Sequence, residues 1–170
     1  FELASEGKAP GILHQPKPTF ERKKIVGNLF FVTMTEYQKG VPVSKIAFPN
    51  EKVEQSLAQV IAEQGLAQFH LAESEKEKMV TYYFDGLRPT PFQKEDVVII
   101  PSPKVGTYDK KPEMSLPQIA SEFSKALSKN IYHFFMLNFA NPDMVAHSGK
   151  IDATIRACEI VDDVLGGMVE

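Results

Sequence analysis

The stretch Tyr132-His-Phe-Phe-Met-Leu137, followed at once by Asn138-Phe-Ala-Asn-Pro-Asp-Met-Val-Ala-His-Ser-Gly149, decides the fold. A short apolar run that ends in a polar loop is typical of a buried strand whose carboxyl end carries functional side chains. Asp143 and His147 stand four positions apart in this loop and offer one oxygen and one nitrogen donor, which suits Mn²⁺, Zn²⁺ or Fe²⁺. Two donors do not close a metal site, so a turn followed by a surface histidine stays open as the alternative.

Strand-like and helix-like segments alternate along the rest of the chain. Strands are predicted over residues 29–33, 68–72, 97–100 and 132–137. Helices are predicted over residues 50–64, with Asn50 as cap and Gly65 as stop, over residues 75–84, and from Ser115 onward. A last helix carries Ile151, Ile155, Cys158 and Leu165 on its apolar face. This alternation predicts a layered α/β/α domain with a mainly parallel sheet.

Composition places the chain among globular proteins. Its 170 residues are 43% hydrophobic, which suffices for the core of one domain or of a piece of a larger one. The apolar runs are strand-sized, and the first residues lack the pattern of a signal peptide, which favours a cytoplasmic protein without a membrane span. Residues 8–18 are predicted to form an exposed connection. The single Cys158 excludes an intrachain disulfide and is predicted to be a small buried hydrophobe.

Charge is distributed unevenly. Residues 1–50 hold seven Lys and Arg against four Asp and Glu, a balance of +3, whereas residues 51–170 hold twelve against eighteen, a balance of −6. The acidic second part argues against nucleic-acid binding. It is typical of an ordinary solvated surface or of carboxylates gathered around cations.

Common nucleotide and hydrolase motifs are absent from the sequence: there is no Walker motif, no G-x-G-x-x-G and no G-x-S-x-G. The loop Pro101-Ser-Pro-Lys-Val105 offers a hydroxyl and an ammonium to a phosphate, or it is a plain proline-braced turn. His14, His70 and His133 have no companions at metal-ligand spacing. His133, within a predicted strand, is interpreted as a hydrogen-bonded structural residue.

Several blocks resemble one family, the cofactor-independent (2,3-bisphosphoglycerate-independent) phosphoglycerate mutases of the alkaline phosphatase superfamily. The similarity spreads in order over about residues 20–170. The blocks are Asn28-Leu-Phe-Phe-Val-Thr-Met-Thr-Glu-Tyr37, Leu71-Ala-Glu-Ser-Glu-Lys76, Ile100-Pro-Ser-Pro-Lys-Val105, Thr107-Tyr-Asp109, Pro112-Glu-Met-Ser115 and residues 138–149.

The resemblance implies an enzyme with two domains. Residues 1–46 correspond to the end of a phosphotransferase (substrate) domain and its hinge, and residues 47–170 to part of a metal-binding phosphatase-like domain. It implies an isomerase of glycolysis that interconverts 3-phosphoglycerate and 2-phosphoglycerate through a phosphoserine intermediate. Two Mn²⁺ (or Mg²⁺) ions, and no 2,3-bisphosphoglycerate, are the implied cofactors. The parent enzyme is expected to be monomeric, and this chain by itself to self-associate through exposed edges.

The resemblance also assigns roles to three residues. Asp143 and His147 match two of the three protein ligands of one metal ion. Lys76 matches the lysine beside the nucleophile and the phosphate, which makes it both catalytic and substrate-binding. Without the resemblance, Lys76 is simply a solvated helix lysine. Glu73 and Ser102 are interpreted as supporting groups rather than ligands.

The departures concern groups that have no counterpart in this sequence. They are the family's N-terminal Asp and nucleophilic Ser, its arginine-rich substrate motif and its C-terminal Asp-His pair. The expectation is therefore a part of a larger mutase that is inactive by itself. Two alternatives stay open: a non-catalytic α/β fragment, and another member of the superfamily such as a phosphatase or a phosphopentomutase.

Overall fold

The computed structural model describes residues 28–37, 43–51 and 53–169. The chain divides into two compact units, Phe1–Glu51 and Lys52–Glu170. In the first unit, strand β1 (Val32–Thr33) pairs in parallel with strand β2 (Lys45–Ile46). The connection predicted over residues 8–18, and His14, lie outside the described residues.

The second unit contains a three-stranded sheet and five helices within its described residues. They are α1 (Leu57–Glu63), β3 (Gln68–Glu73), α2 (Glu77–Val80), β4 (Glu95–Ile100), α3 (Leu116–Ser128), β5 (Phe134–Asn138), α4 (Asn141–Ala146) and α5 (Ile151–Val169). The strand order is β4-β3-β5, and both pairings are parallel. The mainly parallel α/β fold is thus confirmed.

The central strand β3 explains the layering. Successive side chains of a strand point to opposite faces of the sheet. Phe69 and Leu71 belong to the main apolar cluster, which they share with residues of α3 and α5. On the other face, the Gln68 amide donates a hydrogen bond to Ala58 O of α1, and His70 contacts Val80 O at the end of α2. Helices therefore cover both faces of β3, and all six residues of the strand are buried.

The helix predicted to begin at Asn50 begins later. Ser56 is its N-cap, and its side chain accepts a hydrogen bond of 3.2 Å from Gln59 N. The Asn50 side chain is engaged elsewhere, because its Oδ1 accepts a hydrogen bond from the Thr35 hydroxyl at 2.5 Å. The predicted stop is correct: Gly65 follows the helix end with a φ of +69°.

The helix predicted over residues 75–84 is broken into shorter pieces. A 3₁₀ turn (Ser74–Lys76) precedes α2, and turns continue from Thr81 to Gly86. The Val80 carbonyl, which a longer helix would use for its own ladder, lies 2.6 Å from the His70 ring instead. Gly86, at a φ of +77°, ends the segment as predicted.

Helix α5 packs through a different face from the one predicted. Ala157, Ile160, Val161 and Val164 face the core, whereas Ile151, Ile155 and Leu165 are exposed. Cys158 is exposed as well, which corrects its prediction as a buried hydrophobe. It follows Ala157 by one position and so points about 100° around the helix axis. Within the described residues, no helix has both the length and the apolar character that a membrane span requires.

Candidate active site

The candidate site lies at the carboxyl edge of the sheet formed by β3, β4 and β5. Because the three strands are parallel, the segments that follow them emerge at the same edge. Lys76 ends the 3₁₀ turn directly after β3. Asp143 and His147 belong to the segment after β5, in α4 and at its C-cap. The topology therefore brings two distant motifs together.

Lys76 and Asp143 form the central ion pair of this site. The Lys76 ammonium donates a hydrogen bond to Asp143 Oδ2. The other carboxylate oxygen, Oδ1, lies 3.6 Å from His147 Nε2, one helical turn further on. All three residues singled out from the sequence thus meet in one place.

The exposure of these side chains differs in a way that matters for their chemistry. The Lys76 side chain is 18% exposed, whereas those of Asp143 and His147 are 54% and 70% exposed. The hydrogen bond from Lys76 is the largest cause that lowers the pKa of Asp143; desolvation opposes it, and the charges of Lys76 and His147 lower the pKa further. The carboxylate is therefore ionised at neutral pH and accessible to a cation.

The donor set fits a divalent metal ion. Two ligands that each lie about 2.1 Å from one ion stand roughly 3 to 4 Å apart, and Asp143 Oδ1 and His147 Nε2 satisfy this at 3.6 Å. The contact with Lys76 engages the second oxygen of the carboxylate and so orients the first toward the histidine. These two side chains form an incomplete coordination shell that further donors must close.

The buried side chain of Glu73 holds the start of α3 beside the ends of two strands. It ends β3, is 1% exposed, and its Oε1 accepts a hydrogen bond of 2.9 Å from Ser115 N. Burial raises the pKa of Glu73, and the bond to Ser115 opposes this rise. The Ser115 hydroxyl in turn donates to Pro101 O at 2.9 Å. These bonds hold the start of α3 beside the ends of β3 and β4.

Ser102 and Tyr108 anchor the 3₁₀ turn that carries Lys76. Ser102 N donates to Ser74 Oγ at 3.0 Å, and the Ser102 hydroxyl accepts from Glu75 N at 3.4 Å. The Tyr108 hydroxyl donates to Glu75 Oε1 at 2.7 Å, and burial together with this bond raises the pKa of Tyr108 to about 12. Sequence reasoning missed Tyr108; its place in the block Thr107-Tyr-Asp109 was the available signal.

Two histidine predictions have different outcomes. His133 is hydrogen-bonded, since its Nδ1 accepts a bond of 3.3 Å from Ala67 N, although it precedes β5 rather than lying inside it. His70 has no companion at metal-ligand spacing along the chain, but the fold places it beside Asp85 and Glu95. Spacing along the chain could not reveal a group assembled from a strand, a turn and the next strand.

Comparison with known proteins places the chain in a family. A family model described as the Metalloenzyme superfamily matches residues 5–170. The chain belongs to the metalloenzyme superfamily. Two ligand-type residues at its sheet edge agree with that membership.

The names of similar proteins confirm the resemblance stated from the sequence motifs. A 2,3-bisphosphoglycerate-independent phosphoglycerate mutase from Chloroflexus aurantiacus is 48% identical over 157 residues, covering 91% of this chain and 29% of the relative. One from Clostridium novyi is 44% identical over 151 residues, covering 89% and 29%. The chain thus spans about three tenths of the length of the curated relatives that it matches.

A solved structure shows the same fold. The Leishmania mexicana phosphoglycerate mutase, crystallised at low cobalt concentration, matches with a TM-score of 0.71 and 30% identity. The match covers 81% of this chain and 25% of that chain. The parallel sheet and its helices are therefore arranged as in a phosphoglycerate mutase.

Proposed function

We propose that this chain supplies part of the active site of a 2,3-bisphosphoglycerate-independent phosphoglycerate mutase. The observation that carries the proposal is the meeting of Lys76, Asp143 and His147 at the carboxyl edge of the sheet. A cation site beside a lysine is the arrangement that transfer of a phosphoryl group requires, because negative charge develops on its oxygens. The names of the relatives supply the substrates, 3-phosphoglycerate and 2-phosphoglycerate.

Asp143 and His147 are the residues that would hold one Mn²⁺ or Mg²⁺ ion. Such an ion, when bound, lowers the pKa of a hydroxyl nucleophile and neutralises phosphoryl oxygens. His147 contributes through Nε2, and Asp143 through the oxygen that Lys76 does not hold. Residues 47–170 then belong to the metal-binding phosphatase-like domain, and residues 1–46 to the end of the substrate domain with its hinge.

Lys76 is proposed to bind and orient the phosphoryl group. Its side chain is largely covered, so its ammonium is held in a fixed direction rather than moving through solvent. Its partner Asp143 balances its charge while the site is empty of substrate. An arriving phosphate offers the ammonium a second set of oxygens, so the charge of Lys76 is positioned before the reaction begins.

The sharpest test of the proposal is a chimera. The matching 157 residues of the Chloroflexus aurantiacus mutase are replaced by those of this chain, and conversion of 3-phosphoglycerate to 2-phosphoglycerate is followed by coupling to enolase. We expect turnover in the chimera, and at least a roughly 100-fold loss with Lys76→Met. Lys78→Met, at an exposed lysine two positions on, is the matched control.

The outcomes of this test are distinct. An active chimera that depends on Lys76 but not on Lys78 supports the proposal. A folded chimera without activity, or one that is indifferent to Lys76→Met, contradicts it. Conversion by the 170-residue chain alone would contradict the expectation that this part of the enzyme is inactive by itself.

A further inference from the structure

Three titratable side chains meet inside the second unit, apart from the site described above. They are His70 in the middle of β3, Asp85 in the turn before Gly86, and Glu95, the first residue of β4. Their candidate ligand atoms all lie within 4.8 Å of one another, and all three residues are buried. His70 stands three residues before the end of β3, which places it about 10 Å below the sheet edge.

The surroundings of His70 fix how its ring is used. Gln68 Nε2 donates to Ala58 O at 3.0 Å, so Gln68 Oε1 is the atom that faces His70 Nε2 at 3.1 Å. The other ring nitrogen, Nδ1, lies 2.6 Å from Val80 O and 3.3 Å from Glu95 Oε1. Both ring nitrogens therefore face oxygen atoms that only accept hydrogen bonds.

A neutral imidazole cannot donate a hydrogen bond from both of its ring nitrogens. It has one N–H and one lone pair, so one of the two His70 nitrogens faces acceptor oxygens without a proton between them. With the proton on Nδ1, the ring donates to Val80 O at 2.6 Å, and the lone pair of Nε2 faces Gln68 Oε1. With the proton on Nε2, the bond to Gln68 is formed, and the lone pair of Nδ1 faces the oxygens of Val80 and Glu95. A cation located between these atoms would turn the repulsion into coordination.

The carboxyl groups of Asp85 and Glu95 each have a buried oxygen atom that lacks a hydrogen-bond donor. Phe92 N donates to Glu95 Oε2 at 2.8 Å, which leaves Glu95 Oε1 directed at His70. Neither Glu95 Oε1 nor Asp85 Oδ1 receives a hydrogen bond, although both atoms are buried. An unsatisfied buried polar atom costs about 1 to 3 kcal/mol, and more when it is charged.

We propose that His70, Asp85 and Glu95 bind one divalent transition-metal cation as a structural site, with Val80 O beside it. One imidazole nitrogen and two carboxylate oxygens are a donor set suited to Zn²⁺, Mn²⁺ or Fe²⁺. The 3.3 Å between His70 Nδ1 and Glu95 Oε1 is close to the roughly 3.4 Å expected for two ligands of a tetrahedral ion. The charge of the cation balances the two carboxylates.

The outer contacts agree with this assignment. His70 Nε2 would donate to Gln68 Oε1, and Phe92 N already orients Glu95, as outer partners do around ligated histidines and carboxylates. A cleft of about 170 Å³, lined by Thr81, Asp85 and Arg88 among others, reaches the cluster at Asp85. The bound ion joins β3, the Asp85 turn and β4, so it stabilises the folded unit.

The first experiment uses the 170-residue chain with Asp143→Ala and His147→Ala, which removes the exposed donor pair. Zn²⁺ that remains after exhaustive gel filtration is counted by mass spectrometry, and its affinity is measured by competition with a chromophoric chelator. We expect one Zn²⁺ per chain. Glu95→Gln and Asp85→Asn, which keep the shape of each side chain, should each weaken binding at least about 100-fold.

Asp96→Asn is the matched control, because Asp96 follows Glu95 on the same strand but is exposed. The Asp96→Asn chain should bind Zn²⁺ with the same affinity as the chain that carries only Asp143→Ala and His147→Ala. Absence of bound Zn²⁺ in the Asp143→Ala, His147→Ala chain would overturn the proposal. So would an affinity that Glu95→Gln and Asp85→Asn leave unchanged.

A second measurement needs no change to the cluster and decides the question if those variants fail to fold. Long-range ¹H–¹⁵N correlation spectra of the histidine rings are recorded for the chain with Asp143→Ala and His147→Ala, before and after one equivalent of Zn²⁺. The expected result is a His70 ring that carries its proton on Nε2 and coordinates through Nδ1. A His70 ring that stays protonated on both nitrogens with Zn²⁺ present would mean that a proton, not a metal, occupies the cluster.

Discussion

The Lys76 ammonium and the Asp143 carboxylate form an ion pair although 67 positions separate them in the sequence. The pair joins the segment after the central strand β3 to the segment after β5. One oxygen of Asp143 is engaged by lysine, and the other lies near His147. Each side of this carboxylate can therefore be tested separately.

Removal of the Lys76 ammonium should change the pKa of Asp143. With Lys76→Met, the pKa of Asp143 is expected to rise toward its ordinary value, because the hydrogen bond from Lys76 is the largest cause that lowers it. The measurement is a pH titration of the aspartate carboxyl carbons by ¹³C NMR. Lys78→Met serves as the control, and an Asp143 titration that is the same in both variants would show that the pair does not form in solution.

Removal of the carboxylate should abolish turnover while leaving stability nearly intact. Asp143→Ala in the chimera removes a proposed metal ligand, yet the side chain is more than half exposed, so we expect a change of less than about 1 kcal/mol in the free energy of unfolding. Activity is measured with saturating Mn²⁺, and stability by urea denaturation. Asp163→Ala, at an exposed position of α5, should change neither quantity. Near-normal turnover of Asp143→Ala would exclude the ligand role.

Glu73 should make stability depend on pH. Burial raises its pKa above the value of 4.5 that it has when exposed. In the pH range between these two pKa values, the folded chain keeps a proton that the unfolded chain has lost. The free energy of unfolding should therefore fall as the pH rises from about 4.5 to the raised pKa, and this contribution is constant above it. Urea denaturation across this range gives the slope.

Glu73→Gln should reduce that slope, because glutamine has no proton to release. Glu54→Gln, at an exposed position of the same unit, should leave it unchanged. Equal slopes for Glu73→Gln and the unsubstituted chain would show that Glu73 is ionised in the folded state throughout the range.

Two glycines of the same conformation should respond differently to alanine. Gly86 and Gly149 both have left-handed backbones, with φ of +77° and +70°, so each Ala variant carries a strain of about 1 to 2 kcal/mol. A Cβ at Gly86 would also lie 3.0 Å from Val53 Cγ1, whereas at Gly149 it would meet no atom within 4 Å. We expect Gly86→Ala to be about 1 to 3 kcal/mol more destabilising. Equal free energies of unfolding would show that Val53 moves aside without cost.

Sequence reasoning found the sheet, and Asp143 and His147 at its edge, for one physical reason. Strand-sized apolar runs predict β3, β4 and β5, and parallel pairing necessarily brings the residues that follow them to one edge. The ion pair between Lys76 and Asp143 is a consequence of that topology. The role of Lys76 came only from the family resemblance, whereas the spacing of Asp143 and His147 had already indicated a metal site, with a surface turn as the alternative.

Sequence reasoning failed where two faces of a helix are equally apolar and only tertiary packing determines which face is buried. Helix α5 has apolar residues on two faces, and periodicity alone cannot tell that Ala157 is buried while Ile155 and Cys158 are exposed. The cluster of His70, Asp85 and Glu95 was missed because it depends on tertiary placement rather than on spacing. A charged residue at the start of an apolar strand, as Glu95 is, was the only local sign of it.

The central position of β3 also has a consequence for protein synthesis. Both of its neighbours in the sheet, β4 and β5, are encoded after it, and β5 is complete only about 65 residues later. At roughly 5 to 20 residues per second, a ribosome needs several seconds to cover that interval. A nascent chain halted after Ile100 carries β3 with one edge unpaired. The most deeply buried strand of the finished unit is therefore synthesised before both of its neighbours, and one of its edges stays unpaired until β5 is complete.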